Sequence, residues 1–543
     1  MKPLPPHPNL DHLKRQAKDL LSGVLAGAPD AIVRLRASVP SAATQSAEQL
    51  TQTRLHDAQS CIAREYGFVS WASLRRFVDM TRARAADAEQ LALDFGSAAY
   101  AGDIVGGMDR SRPEQAARYL ALIDERGSLP GWVACACGDL ETVEDNLRRD
   151  PAWIEKPDGP LGLPPLIAAT HSGLVRLPEF RERIHTLVQA LIEAGVDPNQ
   201  SVGSRWPPAS PEGPSSDHHL SALYGAAGVN HDPKITRMLL EAGADPNDGE
   251  SLYHALEAPE TVILSLLLDA GVRLEGTNAL LHALDFDTFP MFEMLLSYAA
   301  PVERATCGRL LHWAIKRRRS VAHIEAILAA GCDPNAVSKD GISALVMALR
   351  YGLPKIADVL RKAGAEERLD DEDLFIAACA AGDETAAQQL KDDNPSFPTS
   401  FDPKRLRLLS ELAASGQSAA VMLMVRLGWP IDIRGGDWDA SALNQAVFFG
   451  DAELAGFLLA HGARWTEKHG FGDNVCGTLN WASLNRPEPD GDWVACAKAL
   501  VAHGMPGAVR DPDHPDSVIV DGVQRRFSDE VTMYLLSVGE LES

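Results

Sequence analysis

The stretch LLEAGADPND, Leu239 to Asp248, carries no catalytic group, yet its core recurs as LIEAGVDPN from Leu191 and as ILAAGCDPN from Ile327. An apolar pair closes an amphipathic helix, and Gly243 supplies the left-handed residue that ends it. Asp-Pro-Asn then turns the backbone out of helix, because proline removes a donor and restricts the residue before it. Each copy is therefore a helix stop followed by a turn. A stop that recurs implies a unit that recurs.

The register of that unit can be measured. From an early apolar residue to the helix stop is 19 residues for Leu252 to Gly271, Leu280 to Ala299, Leu345 to Gly364, Leu409 to Gly428 and Leu443 to Gly462. Phe375 to Asn394 and Gly131 to Asp150 keep the spacing without the terminal glycine. A second mark falls seven residues after the first, at Gly352, Gly382, Gly416 and Gly450. A short helix, a tight turn and a second helix with a C-cap satisfy both marks. Stretches such as AELAGFLLAHG, Ala452 to Gly462, place apolar residues on one helical face.

The fullest copy, AAGCDPNAVSKDGISALVMALRYGLPKIADVLRKAGA from Ala329 to Ala365, resembles an ankyrin repeat. DGISAL stands at the family's D-x-x-G-x-T-P-L, while PPLIAATHSG at Pro164 and RLLHWA at Arg309 match the start of its inner helix. His312 fills the family's histidine position, where the resemblance implies a structural bridge between neighbouring units; Ile167, Tyr224 and Asn444 replace it elsewhere. A tetratricopeptide array also stacks helix pairs, but its Trp, Leu-Gly and Tyr marks are missing. About twelve units are expected, starting near Gly131, Leu166, Leu223, Leu252, Leu280, Leu311, Leu345, Phe375, Leu409, Leu443, Leu479 and Val520. The end units are degenerate, as capping units should be. Linkers of nine residues, Gly243 to Leu252 and Gly271 to Leu280, should be clipped to tight turns, against fourteen from Gly331 to Leu345. SVGSRWPPASPEGPSSDHH, from Ser201, reads as an exposed loop.

The front end differs. NLDHLKRQAKDLLSGVLAG, PDAIVRLRAS and TRLHDAQSCIAREYGFVSWASLRRFVD read as helices, with Tyr66, Phe68 and Trp71 as candidate core. The segment resembles the helical N-terminal extension of many bacterial ankyrin-repeat proteins through Leu13, Lys14, Ala17, Lys18, Leu20 and Leu21, then Ala63 to Phe68, Ser70, Trp71 and Leu74. The expected organisation is a helical module over 1–80, a helical connector or cap over 81–130, and the array over 131–543.

Composition limits what such a chain can do. Its 543 residues are 45% hydrophobic and 6% aromatic, enough for a large core. The formal charge is −24; residues 1–80 hold ten Lys+Arg against seven Asp+Glu, and the remainder 41 against 68. An acidic body argues against non-specific binding to nucleic acid or anionic lipid. No apolar run approaches a membrane span and no secretion signal precedes the first helix, so a cytoplasmic, monomeric protein is expected. Eight cysteines without a CxxC pair read as reduced, buried thiols.

No phosphate loop, nucleophile elbow or HExxH motif is present. Asp217, His218, His219, His231 and Asp232 could in principle bind a metal, but adjacent histidines in a loop are a poor preformed site, and DPDHPD near Asp513 lacks the Gly and bidentate Glu of a calcium loop. No catalytic residue, cofactor or metal is assigned. The expectation is an all-α ankyrin-type solenoid behind a small helical module, binding a protein partner through a concave face of fingers and inner helices. Arg317, Arg318 and Arg319, after Lys316, form a basic spot for an acidic partner, or simply cap a helix dipole. Trp438 falls at a finger tip as an interface anchor or a packing residue, and Lys339 and Asp437 complete the candidate surface. The alternatives are an inhibitor or immunity-type protein masking one basic partner, and an enzyme with a site in the N-terminal module or the inserted loops.

Overall fold

The computed structural model describes residues 2–50, 53–107, 110–127, 129–206, 213–299, 304–511 and 517–542. Its contacts divide into two compact units, one of Pro5–Pro8 with Arg75–Val302, the other of Met1–Leu4, Asn9–Leu74 and Glu303–Ser543. Both contain ankyrin-type helix pairs, the second together with the front helices Leu10–Leu25, Pro29–Ser38 and Leu55–Glu65, and the fold is an all-α solenoid.

In the first unit, helices Ala88–Ala99 and Pro113–Glu125 pack on each other ahead of five pairs, whose inner members begin at Gly131, Pro165, Ala222, Ser251 and Ala279. In the second, pairs begin at Arg304, Ala344, Asp371, Leu408, Ala442 and Val475. The same local devices build three of them. An inner helix stops on a left-handed glycine (Gly138, Gly382 and Gly450 at φ 73°, 74° and 71°), and an aspartate caps the outer helix that follows. Asp139, Asp383 and Asp451 each accept a backbone N–H of that helix's first turn at 2.9–3.0 Å. Gly-Asp is thus one punctuation mark serving two helices. Outer helices end on Gly243, Gly331 or Gly462, again left-handed.

Fingers vary with linker length. The fourteen-residue linker closes a bridge between Val337 and Ser343, whereas 243–252 and 271–280 contain turns and no ladder. Ser201 to His219 is more ordered at its ends than a loop reading allows: Ser201–Gly203 pairs antiparallel with His219–Ser221, and Ser204 is buried. Residues 207–212 and 512–516, the latter within DPDHPD, lie outside the described residues.

Three other expectations are corrected. Val520 does not open a twelfth helix pair. It sits in a three-stranded sheet, Val509–Arg510, Val518–Val520 and Val523–Arg525, followed by the helix Asp529–Glu542. Asp521 and Gly522 both have positive φ, 50° and 73°, as a two-residue hairpin turn requires. Cys307 and Cys332 form a disulfide, with Cα atoms 5.1 Å apart, that ties an inner helix to the turn ending its partner. The all-thiol expectation fails there, and with it the compartment argument drawn from the cysteines; the six other cysteines are buried free thiols. Tyr66, Phe68 and Trp71 are only half-buried; Leu13, Leu20, Leu35, Leu50, Ile62 and Leu74 fill the core of the front helices instead. Among the described residues, no helix is long and apolar enough to cross a membrane.

Candidate partner-binding surfaces

His312 lies at its structural post, its Nδ1 2.6 Å from Gly308 O and its Nε2 2.8 Å from Ile342 O in the next finger. Asn444 does the same work at its position, donating to Glu467 O at 3.3 Å and accepting from Thr478 Oγ1 at 2.6 Å. The five residues weighed for metal binding have separate tasks. Asp217 accepts from Ser216 Oγ, His218 pairs with Glu250, His219 with Ser216 O and His231 with Ala227 O, while Asp232 caps a helix and takes His185.

The second unit carries the basic spot. The helix Arg304–Lys316 ends where the next inner helix places the left-handed Gly352, but here Arg318 takes that conformation, at φ 56°. Left-handed backbone costs a non-glycine residue about 1 kcal/mol or more, and a hydrogen bond from Arg318 Nη1 to Tyr351 O at 2.8 Å offsets part of it. Arg319 donates to Arg317 O at 2.7 and 2.9 Å. Lys316 and Arg317 reach outward. Their side chains lie over the Trp313 ring, 5.4 and 4.5 Å from its centre, and hold the two Asp437 oxygens at 2.7 and 3.0 Å. Burial works against the Asp437 carboxylate, but the Lys316 and Arg317 cations outweigh it and hold its pKa below the usual value. The fold therefore brings four of the six candidates, Arg317, Arg318, Arg319 and Asp437, to one cleft, and pairs Arg317 with Asp437 directly. Lys339 stands apart on an exposed finger, beside an Asp340 that pairs with Lys404 at 2.5 Å.

Trp438 occupies the turn joining the paired strands Arg434–Gly435 and Ala440–Ser441. Its half-buried ring packs against Phe448, 5.6 Å away on the adjacent inner helix, and His469, 5.1 Å away on the next finger. Phe448 in turn stacks on Trp481 of the following inner helix, 5.3 Å apart with planes within 8°, and Phe471 borders His469. An aromatic stripe at helical spacing is more often core than contact surface. Exposure decides otherwise here: Phe471 is 83% and Trp481 46% exposed. Phe448, Phe471 and Trp481 were missed in the sequence because finger and inner-helix residues that meet in space are up to 33 positions apart in the chain.

The first unit has a corresponding ladder of rings on and just beyond its inner helices: His171, Tyr224, His254, Tyr253, His282 and Phe286, with successive centres 3.6–5.7 Å apart. Carboxylates border it. His254 contacts Glu250 at 3.2 Å and Glu257 at 2.9 Å, and Glu250 also takes His218 at 2.5 Å. Burial alone would lower the His254 pKa; hydrogen bonds to Glu250 and Glu257 overcome it and carry the value to about 9.

Comparison with known proteins adds little to this geometry. No family model matches the chain, and no curated protein matches it. The human ASB11 ankyrin repeat domain overlaps 42% of this chain and 99% of its own, at 22% identity and a TM-score of 0.22. The ankyrin repeat domain of Bcl-3, a member of the IkappaB family, overlaps 37% of this chain and 94% of its own, at 19% identity and a TM-score of 0.18. The repeat is established by the molecule's own units rather than by these overlaps.

Proposed function

We propose that this chain is a non-enzymatic binding scaffold that engages a protein partner through the finger-and-inner-helix face of its helix pairs. One observation carries the reading: the strip of Trp438, Phe448, Trp481 and Phe471, whose outermost rings are left in solvent. Such rings are large, rigid anchors that lose little entropy on binding, and they dominate the energetics of protein interfaces. A monomer gains nothing from exposing Phe471 to water. The Asn444 bridge to Glu467 O ties the strip's inner helix to the next finger and gives it a rigid base, which reduces the ordering cost of association. The net charge of −24 favours a partner with a basic surface around its apolar anchor.

The test is a binding comparison with a captured partner. Phe471→Ala and Trp481→Ala should each weaken binding by about 2 kcal/mol or more, roughly thirtyfold. Glu453→Ala, on an outer helix, should change it by less than about 0.5 kcal/mol. Equal losses from all three would remove the strip as the docking surface.

A further inference from the structure

Cations at a helix C-terminus ordinarily face their own last carbonyls. Arg319 does stay with its own helix end, at Arg317 O, and Arg318 turns to Tyr351 O on the next pair. Lys316 and Arg317 instead hold a carboxylate 121 and 120 residues further along the chain, one cation to each oxygen. We propose that Trp313, Lys316 and Arg317 form a receptor for a carboxylate on an acidic peptide segment, and that the Asp437 finger fills it as an internal ligand.

The seat has the features of a recognition site rather than a strut. The Trp313 ring supports both cations, so the pair is preorganised apart from its anion. Asp437 projects from a tight turn between Gly436, at φ 74°, and Asp439, at φ 48°, and its side chain is 48% exposed, so an outside carboxylate can compete for the same donors. A cleft of about 550 Å³ adjoins it, lined by Tyr351, Ser415, Gly416, Phe449, Glu411 and Glu488 as well as the cations. Six of its lining residues are neutral, its other two cations, Arg318 and Arg319, are held by backbone carbonyls, and its two glutamates would repel a run of negative charge. The ligand that fits is an isolated Asp or Glu among neutral residues, not a polyanion. Because Trp438 follows Asp437 directly, an outside carboxylate in the seat also removes one tether of the finger that carries Trp438, whose ring stays packed on Phe448 and His469. The seat needs none of the outer aromatic strip, so its failure and that of the docking surface can be told apart.

The probe is a fluorescein-labelled acetylated peptide of the finger itself, RGGDWDAS, titrated by anisotropy into full-length protein. Asp437→Asn, which weakens the internal ligand, should bind it saturably, at least tenfold more tightly than wild type does. Adding Lys316→Ala and Arg317→Ala to Asp437→Asn should abolish binding, whereas adding Arg317→Lys, which keeps the charge, should retain it within about threefold. A peptide with Asn in place of both Asp residues should not bind, and Phe471→Ala added to Asp437→Asn should leave binding unchanged. Thermal melts confirm that each variant is folded. No binding to Asp437→Asn up to about 2 mM peptide, or equal binding to wild type and Asp437→Asn, would overturn the proposal. So would binding of a labelled single-stranded oligonucleotide in place of the peptide.

Discussion

Removing the guanidinium of Arg350 should be among the most damaging single changes in the second unit. Arg350 and Asp373 are 7% and 5% exposed, and Arg350 Nε donates to Asp373 Oδ1 at 2.7 Å, joining consecutive inner helices. Arg350→Met preserves much of the packing volume but leaves a carboxylate buried. Breaking one side of such a pair costs about 3–5 kcal/mol. Arg405, whose Nη2 lies 3.6 Å from the same oxygen, remains as a second cation. It places the expected loss at the low end, about 3 kcal/mol, or roughly a hundredfold in the local opening equilibrium. Arg350→Met with Asp373→Leu removes both charges and should recover to within about 1 kcal/mol of wild type. Because a repeat array can open in segments, native-state hydrogen exchange of helices Ala344–Arg350 and Asp371–Ala381 is the right assay, supported by urea midpoints. A loss below about 1 kcal/mol for Arg350→Met, or a double variant no better than the single, would refute the reasoning.

Reduction of Cys307–Cys332, or Cys332→Ser, reopens a 25-residue loop and should destabilise the second unit by about 3.5 kcal/mol on the chain-entropy model, read as a lowered melting temperature in dithiothreitol. His254, raised from 6.5 to about 9, contributes stability that is complete below pH 6.5 and lost as pH rises through 9. The fall in melting temperature across that window should shrink in His254→Gln; an unchanged fall would assign it to another group. Gly522→Ala places a side chain in open space but at φ 73°, so it should cost about 1 kcal/mol through the backbone alone. A neutral result in urea unfolding would mean the hairpin turn relaxes.

The repeat was legible because its devices are local. Gly243 or Gly450 ends a helix by its own conformation, and Asp451 caps the next by a hydrogen bond within one turn. The C-terminal sheet was legible too, through VIVDGVQR with its Asp-Gly turn between β-branched runs, but the 19-residue register was extended over it. The disulfide was not legible, since a separation of 25 brings two cysteines together only once the helix and the turn beyond its partner are folded. The surface was half legible. The charges of Arg317 and Asp437 and the position of Trp438 stood out, while their partners Trp313, Phe448 and Trp481 read as ordinary inner-helix residues. Contacts across units depend on stacking, which no local pattern encodes.

Site-specific photocrosslinking in the native host tests the central claim most directly. A benzoylphenylalanine placed at 471 or 481, on the aromatic strip, or at 453, on an outer helix, interrogates the two faces in one folded molecule. The binding account expects the same discrete partner to be crosslinked from 471 and 481 and not from 453. A partner captured from 453 as efficiently as from the strip, or captured only from 453, would contradict it.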